Sequence, residues 1–263
     1  MTRRNSIRDG ITLRLLGIGA LMLIAVVVPL RGSRAADFSV SPMFLEFPSG
    51  ARSGEIEVRN LDQQPIRFQV RGVDWSQDGA GKNIFTDSQS LIWFPRTLEL
   101  APGEGRIIRV GVRATPASQE QAYTLILEEV AVGGLHAEKG GAQIRLLLSV
   151  SVPIFVPPMK PNPGGAIESA ELRSRTLVIV IANGGNRHFS YREAAVVGLG
   201  LDGAEKFSQK LPGRTLLAGS RQRVEVRIPQ EACRQLRALA LTLTTSEQSE
   251  IKRRLDVSRT DCE

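Results

Sequence analysis

Ile66-Arg67-Phe68-Gln69-Val70-Arg71 alternates apolar and polar residues without a break. A period of two marks a β-strand with one buried and one wet face, because successive side chains leave a strand on opposite sides. The rhythm recurs in both directions. Ile56 and Val58 alternate with Glu55, Glu57 and Arg59, and Ile108, Val110 and Val112 alternate with Arg109, Gly111 and Arg113. Turn-forming clusters punctuate the runs: Pro48-Ser49-Gly50, Asp78-Gly79-Ala80-Gly81 and Ala101-Pro102-Gly103. Many short strands with regular turns, and no long amphipathic helical window, predict an all-β chain of antiparallel sandwiches.

A proline cluster divides the pattern. Pro157, Pro158, Pro161 and Pro163 each lack the main-chain N–H that a sheet ladder needs, so the stretch before Gly164-Gly165 reads as a short stiff linker. Beyond it Leu177–Ile181 is continuously apolar, Val224, Val226 and Ile228 alternate with Glu225 and Arg227, and Leu239, Leu241 and Leu243 follow suit. Two β-sandwich domains are expected, at 36–157 and 165–263, with 158–164 as the Pro-rich linker. Between Val132 and Gln143 the glycine-rich Gly133–Gly141 reads as a loop joining two long neighbouring strands.

The formal charge of +7 suggests a nucleic-acid binder, but its distribution argues otherwise. Residues 1–35 hold six arginines against Asp9, a net +5, which leaves only +2 for everything else. This Arg-rich start precedes an apolar run from Ile11 to Leu30, and Ser33 and Ala35 supply the small residues of a cleavage site. Residues 1–35 are expected to be a signal peptide removed on export to the periplasm; the alternative is an uncleaved anchor. Arg3-Arg4 gives a weak twin-arginine cue. No later run is long enough to span a membrane. Aromatic residues make up 5% of the chain, too few for base-stacking platforms, so no nucleic acid is expected.

Cys233 and Cys262 are the only cysteines. An oxidising compartment permits a bridge between them, and a structural disulfide is expected over two separate thiols. Neither His136 nor His188 has metal-ligand or triad spacing, and no phosphate loop, nucleophile elbow or dinucleotide fingerprint is present. Glu128 and Glu129 are neighbours on a strand, so they point to opposite faces and read as a solvated edge. No catalytic residue, metal or cofactor is expected, and the chain does not read as an enzyme.

The longest β run is Gln143–Val156, QIRLLLSVSVPIFV. Ile144, Leu146, Leu148, Val150 and Val152 share one face; Arg145, Leu147, Ser149 and Ser151 share the other. Its second half reads as core. Its first half is either core as well or an edge offering apolar side chains, and until Pro153 a lone Arg145 guards it.

The order of segments resembles the periplasmic chaperones of the chaperone–usher pilus pathway, especially their archaic branch. The matching pieces are Phe38–Pro42, Ser53–Asn60, Phe68–Trp75, Leu98–Gly103, Ile107–Gly111, Tyr123–Val130 and Ser151–Val156. In the second half Asn183-Gly-Gly-Asn-Arg-His188 resembles the family's Asn-x-Gly-Asn-x-His turn. The resemblance implies two immunoglobulin-like domains. It also implies pilin-like subunits as clients, whose incomplete sandwiches are completed by a donated strand before transfer to an outer-membrane usher. Ile144, Leu146, Leu148 and Val150 would then be the knobs that enter the client's groove by β-augmentation. Burying four such side chains contributes roughly 6–12 kcal/mol before ordering costs. Members of the family hold the client's C-terminal carboxylate with two basic residues, and the corresponding positions here are Phe44 and Pro153. Arg145 is the remaining candidate anchor. A secreted structural or adhesive β-sandwich protein is the competing reading, and a carbohydrate-active enzyme would need clustered carboxylates that the chain lacks.

Overall fold

The computed structural model describes residues 37–48, 50–113, 117–131 and 146–263. The fold is all-β, with two immunoglobulin-like sandwiches. In the first, one sheet has the order β1 (Phe38–Ser41), β3 (Ser53–Asn60), β8 (Gly105–Val112), β6 (Leu91–Phe94). The other runs β2 (Leu45–Glu46), β10 (Ser149–Val156), β9 (Gln121–Val130), β4 (Ile66–Gln77), β5 (Asn83–Asp87), with β7 (Thr97–Leu100) also paired to β4. The period-two residues do what the sequence predicts. Ile56, Val58, Phe68 and Ile108 are fully buried, while Glu55, Glu57, Arg67 and Arg109 between them are exposed. The first strand is shared between layers: β1 pairs antiparallel with β3, and three residues later β2 pairs parallel with β10 in the opposite sheet.

The second sandwich stacks β11 (Gly165–Arg173), β12 (Thr176–Asn183) and β15 (Arg221–Arg227) on β14 (Glu205–Leu216), β13 (Phe189–Leu199), β16 (Ala238–Thr245) and β17 (Glu250–Asp256). Its core is Leu177, Ile179, Ile181, Val226, Leu239, Leu241 and Leu243, from the runs that the sequence marks as strands. A short helix α1 (Gln230–Gln235) and a 3-10 turn (Arg259–Cys262) close one side and are tied by a Cys233–Cys262 disulfide. The bridge spans 29 positions, so reduction is expected to remove roughly 3–4 kcal/mol from this sandwich through the larger entropy of the open unfolded chain. Calorimetry with and without reductant checks this: the corresponding transition should fall by at least about 10 °C.

A buried asparagine ends the equivalent strand in each sandwich. Asn60 donates from Nδ2 to the carbonyls of Gln64 and Leu100, and Asn183 donates to those of Arg187, Leu216 and Leu217. Each side chain thus holds a loop whose main chain would otherwise be left unpaired, which is why a polar group is tolerated at 0–1% exposure.

Candidate functional site

Strand β10 is bonded on one side along most of its length. It pairs with β9 from Ser149↔Glu128 to Val156↔Gln121, whereas β2 covers only Ile154 and Phe155 on the other flank. In an antiparallel ladder, alternate residues turn their N–H and C=O toward the partner and away from it. The Glu129 amide donates to the Leu148 carbonyl at 2.8 Å, so Leu148, Val150 and Val152 address β9. Ser149, Ser151, Pro153 and Phe155 therefore face outward. The Phe155 carbonyl is satisfied by the Phe47 amide at 3.0 Å, where β2 covers the edge. The Pro153 carbonyl faces Leu45 of β2 in the parallel ladder, so among the described residues only the main-chain groups of Ser149 and Ser151 remain on an uncovered border. Pro153 has no N–H to waste there, the setting in which a strand tolerates proline.

Unpaired borders are normally blunted by charge or brevity. The outer strand β15 carries Arg221, Arg223, Glu225 and Arg227, and β17 carries Lys252, Arg253 and Arg254; β1 and β6 have four residues each. The open part of β10, Ser149–Val152, carries no charged side chain. Exposed apolar side chains flank it: Leu146 and Leu147 at its start are 59% and 52% exposed, and Met43 and Phe44, just before β2, are both 59% exposed. Leu148 and Val150 are half-buried, Val150 packing against the edge of the core, while Val152 and Ile154 of the same face are fully buried. The strand thus passes from core to open border along one face.

Three expectations need correction or placement. Among the described residues regular strand begins at Ser149, after Leu146–Leu148, and Gln143, Ile144, Arg145 and His136 lie outside the described residues. Glu129 is not on a solvated edge: it is 8% exposed, faces inward in register with Phe68 and Leu148, and its Oε2 accepts the Leu148 amide at 3.2 Å. The inward parity of Tyr123, Leu125 and Leu127 runs directly into it, a signal that was present in the sequence. At the other end of β9, burial and the neighbouring Asp74 raise the Tyr123 phenol above its ordinary range.

The outward face of this sheet meets the second sandwich. Phe85, Trp75, Ala122, Phe155 and Glu46 form one cross-strand row; the small Ala122 lets the Trp75 and Phe155 rings approach to 5.8 Å. Phe155 stacks on His188 with ring centroids 3.9 Å apart. The Glu120 carboxylate is 1% exposed; its Oε2 accepts the His188 amide at 2.6 Å and lies 2.8 Å from His188 Nδ1. Arg187 reaches Glu46 at 2.6 Å and Glu120 at 3.7 Å. Asn186 donates from Nδ2 to the carbonyls of Ser118 and Lys160. The Asn183–His188 turn is thus the joint between the sandwiches, and its one arginine is taken by two carboxylates. Phe44 and Pro153 each stand one residue before the Leu45↔Ile154 pair, side by side and both uncharged. Among the described residues no group of three or more His, Cys, Asp or Glu is placed to hold a metal ion.

Comparisons with known proteins agree with this geometry. Residues 37–162 match the model of the pili and flagellar-assembly chaperone family, PapD N-terminal domain. The fold is similar to that in the chaperone–tip adhesion subunit pre-assembly complex CsuC–CsuE of the archaic Csu pili of Acinetobacter baumannii. There the identity is 16%, the match covers 82% of this chain and 98% of that one, and the TM-score is 0.57. It is also similar to the Pseudomonas aeruginosa CupB2 chaperone, at 12% identity over 84% of this chain and all of that one, with a TM-score of 0.52. The Salmonella enterica SafA pilin in complex with the SafB chaperone matches at 10% identity over 86% and 99%, again with a TM-score of 0.52. No curated protein matches the chain in sequence.

Proposed function

Because residues 37–162 belong to the pili and flagellar-assembly chaperone family through its PapD N-terminal domain, we propose that this protein is an exported pilus-assembly chaperone. On this reading it caps subunits with the border of β10 and passes them to an outer-membrane usher. The supporting observation is the one-sided, uncharged pairing of β10 between Ser149 and Val152, flanked by exposed Leu146 and Leu147. An incoming strand would take its main-chain bonds from Ser149 and Ser151, while Ile144, Leu146, Leu148 and Val150 fill its groove. Binding of this kind needs no nucleotide: a subunit is held by area and register, and is released when a better-fitting strand replaces the donor. Residues 1–35 serve as the export signal, 36–157 as the subunit-binding domain, 158–164 as the linker, and 165–263 as the second domain braced through the Asn183–His188 joint. Co-expression with small secreted proteins encoded nearby, followed by a periplasmic pull-down, tests the reading; recovery of the chain on the cell surface without any such client would overturn it.

The client's end meets an apolar corner. Phe44 and Pro153 cannot pair with a carboxylate, and Arg187 is already held by Glu46 and Glu120. A peptide copying the client's C-terminal strand is therefore expected to bind equally well as free acid and as amide, within about twofold. A charge-assisted anchor would instead make the amide roughly tenfold or more weaker. Isothermal titration of the two peptides distinguishes these outcomes, and a large amide penalty would give Arg145 the anchor role.

A further inference from the structure

The hairpin β11–β12 closes through two residues, Ser174 and Arg175, between the paired Arg173 and Thr176. Both are left-handed, with φ of 45° and 66°. A two-residue turn with positive φ at both positions is the natural place for Asn-Gly or Gly-Gly, and a residue with a Cβ is disfavoured there. An arginine nonetheless occupies the second position, with its main chain pinned. The Arg175 amide donates to the Asp261 carbonyl at 3.0 Å, and its carbonyl accepts the Ile228 amide at 2.9 Å.

This turn forms one wall of a cleft of about 440 Å³ lined by Arg175, Gln230, Arg234, Arg259, Cys262 and Glu263. The arginines come from three elements: the hairpin turn, α1 and the 3-10 turn. The Cys233–Cys262 disulfide ties the last two elements together. Several arginines elsewhere are neutralised locally; Arg59, Arg67, Arg106, Arg221 and Arg223 each lie within 3.0 Å of a carboxylate. Among the described residues, Arg175, Arg234 and Arg259 make no ion pair. Glu263 sets negative charge against these three guanidiniums, and the lining keeps an excess of positive charge.

We infer that this cleft binds a phosphate-class anion. Guanidinium forks match phosphate oxygens, and forks arriving from three elements suit a tetrahedral anion better than a planar carboxylate, which one fork satisfies. The inference is independent of the β10 border and of any client.

Titration of the isotopically labelled mature protein with sodium phosphate, against sodium chloride at equal ionic strength, tests it by amide shifts. Saturable shifts at Arg175, Arg234, Arg259 and Cys262 with phosphate alone are expected. Arg175→Gly should weaken phosphate by at least about fivefold, while its thermal midpoint stays level or rises, because glycine adopts this φ freely. Arg259→Gln should weaken binding similarly. Vesicles of phosphatidylglycerol with phosphatidylcholine, against phosphatidylcholine alone, separate the sources of the phosphate. Retention that Arg175→Gly abolishes assigns a lipid headgroup; phosphate binding without retention assigns a soluble ligand. Phosphate shifts no larger than those of chloride, or shifts unaffected by both substitutions, overturn the inference. A lowered midpoint in Arg175→Gly does so too, by giving Arg175 a purely structural reason to be there.

Discussion

Replacing Leu146 by Asp together with Leu148 by Thr is expected to leave the mature protein folded while abolishing recovery of its subunit. Leu146 lies outside any strand and is more than half exposed, and Leu148 is only half-buried, so little of the core depends on them. Surface changes of this kind shift stability by about 0.5 kcal/mol or less. In the complex the same two side chains would be buried, each contributing roughly 1.5–3 kcal/mol, so their loss weakens binding by roughly 10²–10⁴-fold. A carboxylate introduced into an apolar groove adds to the penalty. Threonine rather than aspartate is chosen at position 148 because Glu129 faces Leu148 across the ladder, and a second carboxylate there would repel it in the free protein. Periplasmic pull-down alongside circular dichroism and a melting curve separates the outcomes. A double variant that unfolds would make the two leucines ordinary core and end the donor-strand proposal.

What the sequence discloses and what it conceals follow from the range of the interactions. Alternation is local, so Ile66–Arg71 and Ile108–Arg113 announce their strands and their buried faces without help from the rest of the chain. Strand β14 is harder to see, because Pro212 and Gly213 interrupt any alternation even though Pro212 is in register with Glu193 of β13. The joint is invisible in principle to local reading: Arg187 and Glu46 are 141 positions apart, and His188 and Glu120 are 68 apart. Only the turn Asn183–His188 hints at it, and that hint comes through resemblance, not physics. Glu129 is the opposite case. Its inward direction follows from the parity of Tyr123, Leu125 and Leu127, but a carboxylate at a core-facing position contradicts the usual preference, so parity and polarity disagree. Such disagreements concentrate where a sheet stops being closed, and this one sits beside Leu148, at the mouth of the open border.

Proline substitution separates the two flanks of β10 more sharply than any side-chain change. Ser151 turns its N–H away from β9, so Ser151→Pro removes no bond from the protein's own ladder; Pro153 already occupies the next outward position. The variant is expected to melt near the wild-type temperature. It removes a main-chain donor from the border that would receive the client, and it places a ring where the neighbouring strand must approach. Client recovery should fall to background, although every apolar knob is intact. Val152→Pro is the reciprocal change: its N–H addresses β9 and its side chain is fully buried, so the free protein should lose about 3 kcal/mol or more. Melting curves and pull-downs on the two variants thus give opposite patterns if β10 is an edge. If Ser151→Pro also collapses the fold, the outward flank is engaged within the molecule itself. If it leaves client recovery unchanged, the subunit is held by some surface other than this strand.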